Sequence, residues 1–476
     1  MTAVSGSVTV GLDIGTTAVK AVAVDDTGAV LARSRVPHRL LTPRPDYLEH
    51  DAGRAWRRGP LQALAEVTAA VPEPAGVCVT SMVPSLTVVD DRGRPLSPGL
   101  LYGDARGRPD LPPPADAPTT AAAAHASSAM PDAVGFVQWA LREHPGAAGF
   151  WPAQAVANYA LGRVPAIDTA MAMSMGELMS MGTWDGAMLD KLGVSLEQLP
   201  KVVGMGEPAG TVSGTGTVMA AGTVDAFCDQ IVSGAEHTGD VLVICGATLV
   251  VWAVVDDWIE VPGLWTVPHT TPGKILIGGP SNAGALFVDW ARALLHGGFR
   301  RAPRPKRGGS HGHDDAEPPR TGDPERVPVW LPYVRGERAP YHDPDLRAGL
   351  HDLDITHDAT ALERAAYEAS GFVVRAMLER AGVGARRIVA SGGGTRVVPW
   401  MQAMADAAGL PVDVVAVHEG AALGAAFVAR MAAGLEPSLD GAGRWATVGR
   451  RYEPDPRWQA AAAQRFARFR ELGPES

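Results

Sequence analysis

The sequence predicts an α/β protein made of two related domains, and three stretches carry that prediction. Val8, Val10 and Leu12 alternate with smaller or polar residues, the period of a strand. A Gly15-Thr16-Thr17 turn follows, then a second apolar run from Val19 to Val24 that ends at Asp25-Asp26-Thr27-Gly28, so the whole reads as a β-hairpin. The second stretch, from Gly246 to Asp256-Asp257, can be laid on Gly15 to Asp25-Asp26. Both begin at glycine, place a threonine two residues on and reach Asp-Asp at the same distance. An apolar strand precedes each, Val8–Leu12 and Val241–Ile244, and repetition of this kind points to two domains bearing the same hairpin. The third stretch runs strand, glycine turn and helix through Arg387–Arg396 and Pro399–Gly409, with proline at the helix start and glycine at its end.

Each hairpin has the chemistry of a phosphate site. Glycine lets backbone N–H groups approach a phosphate, and Thr16 and Thr17 can add hydroxyl donors. Asp13 stands just before the turn, where a carboxylate could hold a Mg²⁺-bound water. No Gly-x-x-x-x-Gly-Lys pattern is present, so this is not a P-loop. The absence of Gly-x-Gly-x-x-Gly between a strand and a helix near the start excludes a Rossmann dehydrogenase. Two such hairpins facing each other across a cleft could clamp one polyphosphate.

Composition narrows the partners. The 476 residues include 46% apolar types, ample for two large domains, and the net charge of −10 argues against nucleic acid or an anionic membrane surface. Cys78, Cys228 and Cys245 are few, unpaired in spacing and odd in number, which fits a reducing cytoplasm rather than a disulfide framework or zinc site. The first residues lack the charged and apolar regions of a signal peptide, and Val241–Val255 is too short for a membrane span. A cytoplasmic protein is expected, with no membrane partner and with a homodimer left open.

The remaining elements follow in order. Val77–Thr80 and Leu86–Asp90 read as strands continuing the first sheet, and Asp91–Pro95 as a turn. Leu111–Pro131, rich in proline and alanine, has no clear assignment, and helical periodicity runs from Ala133 to Leu141. A linker-like 210–217 segment precedes Val218–Val224 and Asp225, and the second half opens at about Gly239. Arg300–Arg326 has the composition of a mobile loop. Its His311, His313, Asp314 and Asp315 read first as a solvated polar loop and second as a metal site. From Ala359 a long helix keeps 3-4 spacing through Leu362, Ala366, Ala369, Val373 and Met377, with Thr356 or Asp358 as its cap. Gly392-Gly393-Gly394 permits close backbone contact with a flat ligand, and the helix start behind it favours an anion. Pro411–Val417 resumes a strand, and Glu419–Phe427 is a small-residue helix suited to close packing.

Together these residues resemble the FGGY family of carbohydrate kinases, of the actin-like ATPase superfamily, over about residues 8 to 430, with a pattern similar to the xylulokinases (pentulose kinases). Gly11-Leu-Asp-Ile-Gly-Thr-Thr17 resembles the first phosphate motif and Gly239–Thr248 the second, where Ala247 replaces a usual threonine. Ser391-Gly-Gly-Gly-Thr395 through Gly424-Ala-Ala resembles the adenosine motif, and Leu331–Pro340 a Pro-Tyr…Gly-Glu-Arg-x-Pro segment. The resemblance implies two ribonuclease-H-like α/β domains flanking a central cleft, divided as 1–236 and 237–435 with a C-terminal extension over 436–476. It implies an ATP-dependent sugar kinase in which Asp225, in a Gly-x-x-Asp setting, takes the proton of the attacking sugar hydroxyl.

The resemblance also distributes the other roles. Asp13 (with Mg²⁺ through water), Gly15, Thr16, Thr17, Lys20, Gly246, Ala247, Thr248, Gly392, Gly393, Gly394 and Thr395 would hold Mg²⁺-ATP. Lys20, following Val19 in a strand, reads equally as a solvent-facing lysine. Ser81, Met82 and Val83 match a segment that reads Gln-Met-His-Gly in xylulokinases, so the sugar-binding side departs from that pattern. Leu101–Arg106 resembles a Trp-x-Asp-x-Arg loop, in which Asp104 would accept two sugar hydroxyls and Arg106 would hold the loop. A ketopentose such as xylulose is the expected acceptor, with glycerol, ribulose and other polyols open. An actin-like ATP-binding switch without sugar kinase activity is the contrasting reading.

Overall fold

The computed structural model describes residues 8–44, 46–71, 73–107, 132–180, 182–296 and 322–474. Leu111–Pro131 and the His311, His313, Asp314 and Asp315 group lie outside them, as does the 300–326 loop up to residue 321. The chain divides into two compact units, each with its own hydrophobic core.

The first unit is built on a seven-stranded sheet comprising β1 (Thr9–Ile14), β2 (Ala18–Val24), β3 (Val30–Pro37), β4 (Gly76–Ser81), β5 (Pro208–Thr211), β6 (Val218–Ala220) and β7 (Thr223–Val224). The order is β5-β6-β4-β1-β2-β3, with β7 also pairing β4. β1, β2 and β3 form an antiparallel meander, and β4 lies parallel to β1. In the second unit the sheet comprises β8 (Asp240–Cys245), β9 (Leu249–Val255), β10 (Trp265–Pro268), β11 (Ile275–Ser281), β12 (Arg387–Ser391), β13 (Val412–Val415) and β14 (Val448–Tyr452), in the order β10-β11-β9-β8-β12-β13-β14. Here too a three-stranded antiparallel meander, β8-β9-β11, is extended by parallel strands beyond its first member. Each unit is therefore a ribonuclease-H-like α/β domain, the arrangement of the actin-like ATPases.

The repeat seen in the sequence is structural. β1 and β2 recur 231 positions later with identical bounds as β8 and β9. The parallel neighbour keeps register as well, since Thr9 faces Gly76 and Asp240 faces Arg387. Only the turn differs: the first hairpin closes at Ile14–Val19 and the second, one residue tighter, at Cys245–Leu249.

Three expectations change. The strand Ser85–Val89 leaves the main sheet and joins Glu49–His50, Gly99–Leu101 and Gly149–Trp151 in a four-stranded sheet. Both edges of β4 are already taken, by β1 on one side and by β6 and β7 on the other. The linker-like 210–217 segment is the tip of a hairpin, with Thr211 paired to Val218. The C-terminal division also differs: Glu419–Thr447 belongs to the first unit and Val448–Ser476 to the second. Close packing explains this return. The helix Gly420–Ala432 brings the backbone of Ala422, Ala426 and Ala429 against Gly11 and Gly76, and Thr9 Oγ1 reaches the Ala426 carbonyl at 2.8 Å. A Cβ on Gly11 would stand 1.8 Å from the Ala422 oxygen, and one on Gly76 2.5 Å from the Ala429 oxygen.

In the second unit the helix Ala359–Ala381 is capped by Asp358, whose carboxylate accepts from the Ala361 amide at 2.9 Å, and it ends at Gly382 with φ +66°. Its Arg364 and Glu368 bind Asp406 and Arg465 in a buried network that ties the helix to Val398–Ala408 and Pro456–Leu472. Among the described residues no helix is long and apolar enough to cross a membrane.

Candidate active site

The end of β1 and the turn after it gather most of the first unit's chemistry. Asp13 and Lys20 are directly opposed across the hairpin, and Lys20 Nζ donates to Asp13 Oδ2 at 3.0 Å. The neighbouring Asp13 charge, helped by Asp229 and Glu419, raises the Lys20 ammonium above its ordinary value despite burial, so Lys20 is held charged rather than turned to solvent. Asp225 opens the helix Asp225–Ile231 directly after β7, and β7 pairs with Thr80 and Ser81 of β4. Its Oδ1 accepts from the Ala226 amide at 2.7 Å. Burial first, then the Asp13 charge, pushes the Asp225 carboxyl up to about 6, while Lys20 pulls it down. Asp13, Lys20 and Asp225 thus feel one another as two carboxylates around one ammonium.

The turn is braced from behind by residues that no sequence motif marked. Trp56 Nε1 donates to His50 Nδ1 at 3.0 Å, which fixes the tautomer, so His50 Nε2 donates to the Thr16 carbonyl at 2.8 Å. Burial and the adjacent His38 push the His50 imidazole down to about 3, and it stays neutral as this geometry requires. The His38 amide donates to the Thr17 carbonyl at 3.0 Å, and the Gly15 amide to Ala18 at 3.1 Å. Thr16 Oγ1 shares a 3.3 Å hydrogen bond with Tyr102 Oη. The carbonyls are held at the back, and Thr17 is exposed.

On the expected sugar side, Ser81 and Met82 are buried and Val83 is half-buried. Ser81 Oγ donates to the Met82 carbonyl at 3.2 Å, while Gln154 Nε2 reaches the Thr223 carbonyl at 2.8 Å and the Ser81 carbonyl at 3.4 Å. Gln154 therefore links the Ser81–Val83 segment to the strand that leads into Asp225.

Asp104 differs from the expectation. It is 1% exposed, and its carboxylate accepts from the Leu48 amide (2.7 Å), the Arg106 amide (3.0 Å), Arg106 Nε (2.8 Å) and Arg106 Nη2 (2.7 Å). Four donors fill the acceptor positions of a carboxylate, which leaves none for two sugar hydroxyls. Arg106 also binds Glu49 at 2.5 Å and lies over the Tyr47 ring at 4.2 Å, so the pair is a clasp that closes this loop.

Behind β7, buried Asp168 caps the short helix Thr169–Met173 by accepting from the Met171 amide at 2.8 Å, and burial pushes its carboxyl up to about 7. An acid whose folded value is raised binds more protons folded than unfolded between its two values. Stability is then lost as pH rises from about 4 to 7. Asp168→Asn, which can still cap, is expected to flatten that loss. Relative to the wild type it gains up to about 4 kcal/mol at pH 8, measurable as a Tm difference between pH 5 and pH 8.

In the second unit, Gly246, Ala247 and Thr248 form the turn between β8 and β9. Ile244 and Val251 stand where the first hairpin has Asp13 and Lys20, so this turn offers backbone and one hydroxyl without charge. The Ala285 amide donates to the Gly246 carbonyl at 2.9 Å and the Leu286 amide to the Ala247 carbonyl at 3.0 Å, locking the turn to the helix Ala285–Leu295. Gly284 makes that approach feasible, because a Cβ there would lie 2.3 Å from the Thr248 carbonyl carbon. Glu337, from the Gly-Glu-Arg-x-Pro segment, anchors the same corner. It accepts from Ser281 Oγ (2.7 Å), the Asn282 amide (2.8 Å) and the Arg338 amide (2.6 Å), and burial pushes it up to about 7.

The glycine turn after β12 meets the end of β8. Cβ atoms on Gly392 and Gly394 would each lie 2.9 Å from the Cys245 carbonyl oxygen, and Gly392 has φ +89°. Gly393 is exposed. Thr395 is buried, with its hydroxyl donating to the Gly392 carbonyl at 2.7 Å and lying 2.8 Å from His418 Nδ1. Thr395 shapes this turn from within, and of its three glycines Gly393 is the exposed one. Among the described residues no group of three or more His, Cys, Asp or Glu side chains is placed to hold a metal by itself.

The comparisons agree with this architecture. The family model for the FGGY carbohydrate kinases, N-terminal domain, matches residues 8–112, and that for the C-terminal domain matches residues 241–433. A xylulose kinase of Escherichia coli strain K12 is 24% identical over 97% of this chain and 98% of its own length. A gluconokinase of Bacillus licheniformis is 24% identical over 90% of this chain and 88% of its own. The crystal structure of a xylulose kinase from Rhodospirillum rubrum matches with a TM-score of 0.72 at 25% identity, covering 98% of both chains. Two ribonuclease-H-like units, a repeated β-hairpin and both family domains in order place this chain in the FGGY family of carbohydrate kinases, as an ATP-dependent sugar kinase.

Proposed function

We propose that this kinase transfers the γ-phosphoryl group of ATP to a hydroxyl of a ketopentose such as D-xylulose, with Asp225 as the general base. The observation that carries the reading is the electrostatic coupling of Asp13 and Lys20, on the first hairpin, to Asp225 at the start of the helix after β7. A sugar hydroxyl is a poor nucleophile, and a carboxyl raised to about 6 is a stronger proton acceptor than an ordinary aspartate while still ionised at neutral pH. Lys20 supplies positive charge for a terminal phosphate, and Gly15, Thr16 and Thr17 supply amide and hydroxyl donors. Gly246, Ala247 and Thr248 act the same way from backbone and the Thr248 hydroxyl, and Gly392, Gly393 and Gly394 receive the nucleoside.

Two carboxylates that repel each other, with no larger ligand cluster among the described residues, suit a cation that arrives with ATP phosphates and keeps its waters, which is the habit of Mg²⁺. Asp13 would hold it through water. Bound there, Mg²⁺ neutralises charge on the phosphate oxygens.

On the sugar side, Ser81, Met82 and Val83 supply a largely apolar wall, and the Asp104–Arg106 clasp fixes the loop beside it. Retained Met82 and the xylulose kinase relatives favour a ketopentose. The gluconokinase relative makes sugar acids the first alternative, with glycerol and ribulose behind. The test is ADP release from Mg²⁺-ATP across ketopentoses, aldopentoses, glycerol and gluconate. We expect one ketopentose to stimulate release by about 10²-fold or more over ATP alone, the scale a positioned base contributes. Stimulation by gluconate or glycerol instead would overturn the ketopentose assignment.

A further inference from the structure

We propose that a second anion site, for a small phosphate-bearing effector, lies on the opposite face of the first sheet from Asp13 and Lys20. Residues directly opposed in antiparallel strands share a face, and successive residues alternate. Asp13, Lys20 and Arg35 are therefore on one face, and Ile14, Val19 and Val36 on the other. The helix Gly59–Ala70 covers that other face, since a Cβ on Gly59 would sit 2.8 Å from Val19 Cγ2. At the mouth of this layer a pocket of about 400 Å³ is lined by Val36, Pro37, His38, Arg54, Arg58 and Gln62.

Its charge is what selects the ligand. Arg54 and Arg58 lie one helical turn apart with exposed side chains, and among the described residues neither guanidinium has an ion-pair partner. Two acids beside the pocket residues hold other donors. Asp51 Oδ1 accepts from the Arg54 backbone amide at 2.9 Å, and Glu66 accepts from Ser34 Oγ at 2.5 Å and from Gln62 Nε2 at 2.8 Å. Two planar forks without ion-pair partners among the described residues suit the tetrahedral oxygens of a phosphate, with Val36 and Pro37 as an apolar wall for a short carbon skeleton.

The pocket also touches the catalytic turn. His38 lines it, donates its amide to the Thr17 carbonyl at 3.0 Å and packs edge-on against His50 with ring centroids 4.5 Å apart. His50 in turn holds the Thr16 carbonyl. A ligand that shifts His38 thus shifts the turn that receives ATP, whatever sugar the enzyme uses.

The experiment is calorimetric titration of inorganic phosphate into the full-length protein saturated with Mg²⁺ and a β,γ-imido ATP analogue, which fills the catalytic phosphate positions. The wild type is expected to bind one equivalent with a Kd on the order of 1 mM. An Arg54→Gln/Arg58→Gln double variant is expected to bind at least about tenfold more weakly, with its analogue affinity unchanged. Phosphate is also expected to alter the KM for ATP in the wild type and not in the double variant. Equal phosphate affinity in the two proteins, or no binding by the wild type, overturns the site. An ATP KM indifferent to phosphate overturns its role as an effector site.

Discussion

Asp225→Asn is expected to lower kcat by about 10²- to 10⁴-fold, the usual worth of a positioned general base, while ATP still binds. The substitution keeps the shape of the side chain and an oxygen to accept the Ala226 amide at 2.7 Å, so the helix start survives. What it removes is a group that can take a proton. The surroundings make the carboxylate matter: burial and Asp13 raise it, Lys20 lowers it, and the balance at about 6 leaves it ionised at neutral pH. Because the lost interaction forms only as the hydroxyl attacks, KM for the sugar is expected to change far less than kcat. Steady-state kinetics with a nucleotide-binding titration separates the two effects. A variant with unchanged turnover would assign the proton to another acceptor.

Gly424→Ala is expected to be among the most damaging changes outside the reacting groups. A Cβ at this position would lie 2.0 Å from the Cys228 carbonyl oxygen and 2.6 Å from its carbon, both in the backbone of the helix that begins at Asp225. Neither helix can yield by rotating a side chain, so one must move. The other side of Gly420–Ala432 is pinned just as tightly by Gly11 and Gly76. Overpacking of this kind costs about 1–3 kcal/mol, and a shift near 1 Å at a reacting group can cost about 10²-fold in rate. The expected result is a lower Tm together with a kcat fall on that scale. Gly186→Ala is the control: a Cβ there meets nothing within 4 Å, and neither quantity should move. Wild-type kcat in Gly424→Ala would mean that Asp225 is positioned by something other than this helix contact.

Much of the fold was legible because the hairpins are local. Strand alternation, a glycine turn and a terminal Asp-Asp recur with the same spacing, and β1, β2, β8 and β9 carry that spacing into identical bounds. The helix cap, expected at Thr356 or Asp358 and found at Asp358, was readable because it acts on the adjacent turn of helix. What escaped the sequence depends on partners far apart in the chain. Asp104 reads as an open hydrogen-bond acceptor until Leu48 and Arg106 are seen to fill it. His50 and Trp56 carry no motif, yet they hold the Thr16 carbonyl and brace the Gly15–Thr17 turn from behind. The return of Glu419–Thr447 to the first unit was foreshadowed only by a run of small residues, whose meaning appears once Gly11 and Gly76 are found beneath it. Thr395 likewise reads as a ligand contact, and the structure turns its hydroxyl inward to Gly392.

The central claim is phosphoryl transfer to a ketopentose hydroxyl, and its most direct test is a ³¹P spectrum of the purified protein with Mg²⁺-ATP and D-xylulose. The account predicts a phosphomonoester resonance that grows in step with ADP in the wild type and is nearly absent with Asp225→Asn. Inorganic phosphate in place of the ester, or ADP formed at the same rate without the sugar, would contradict it.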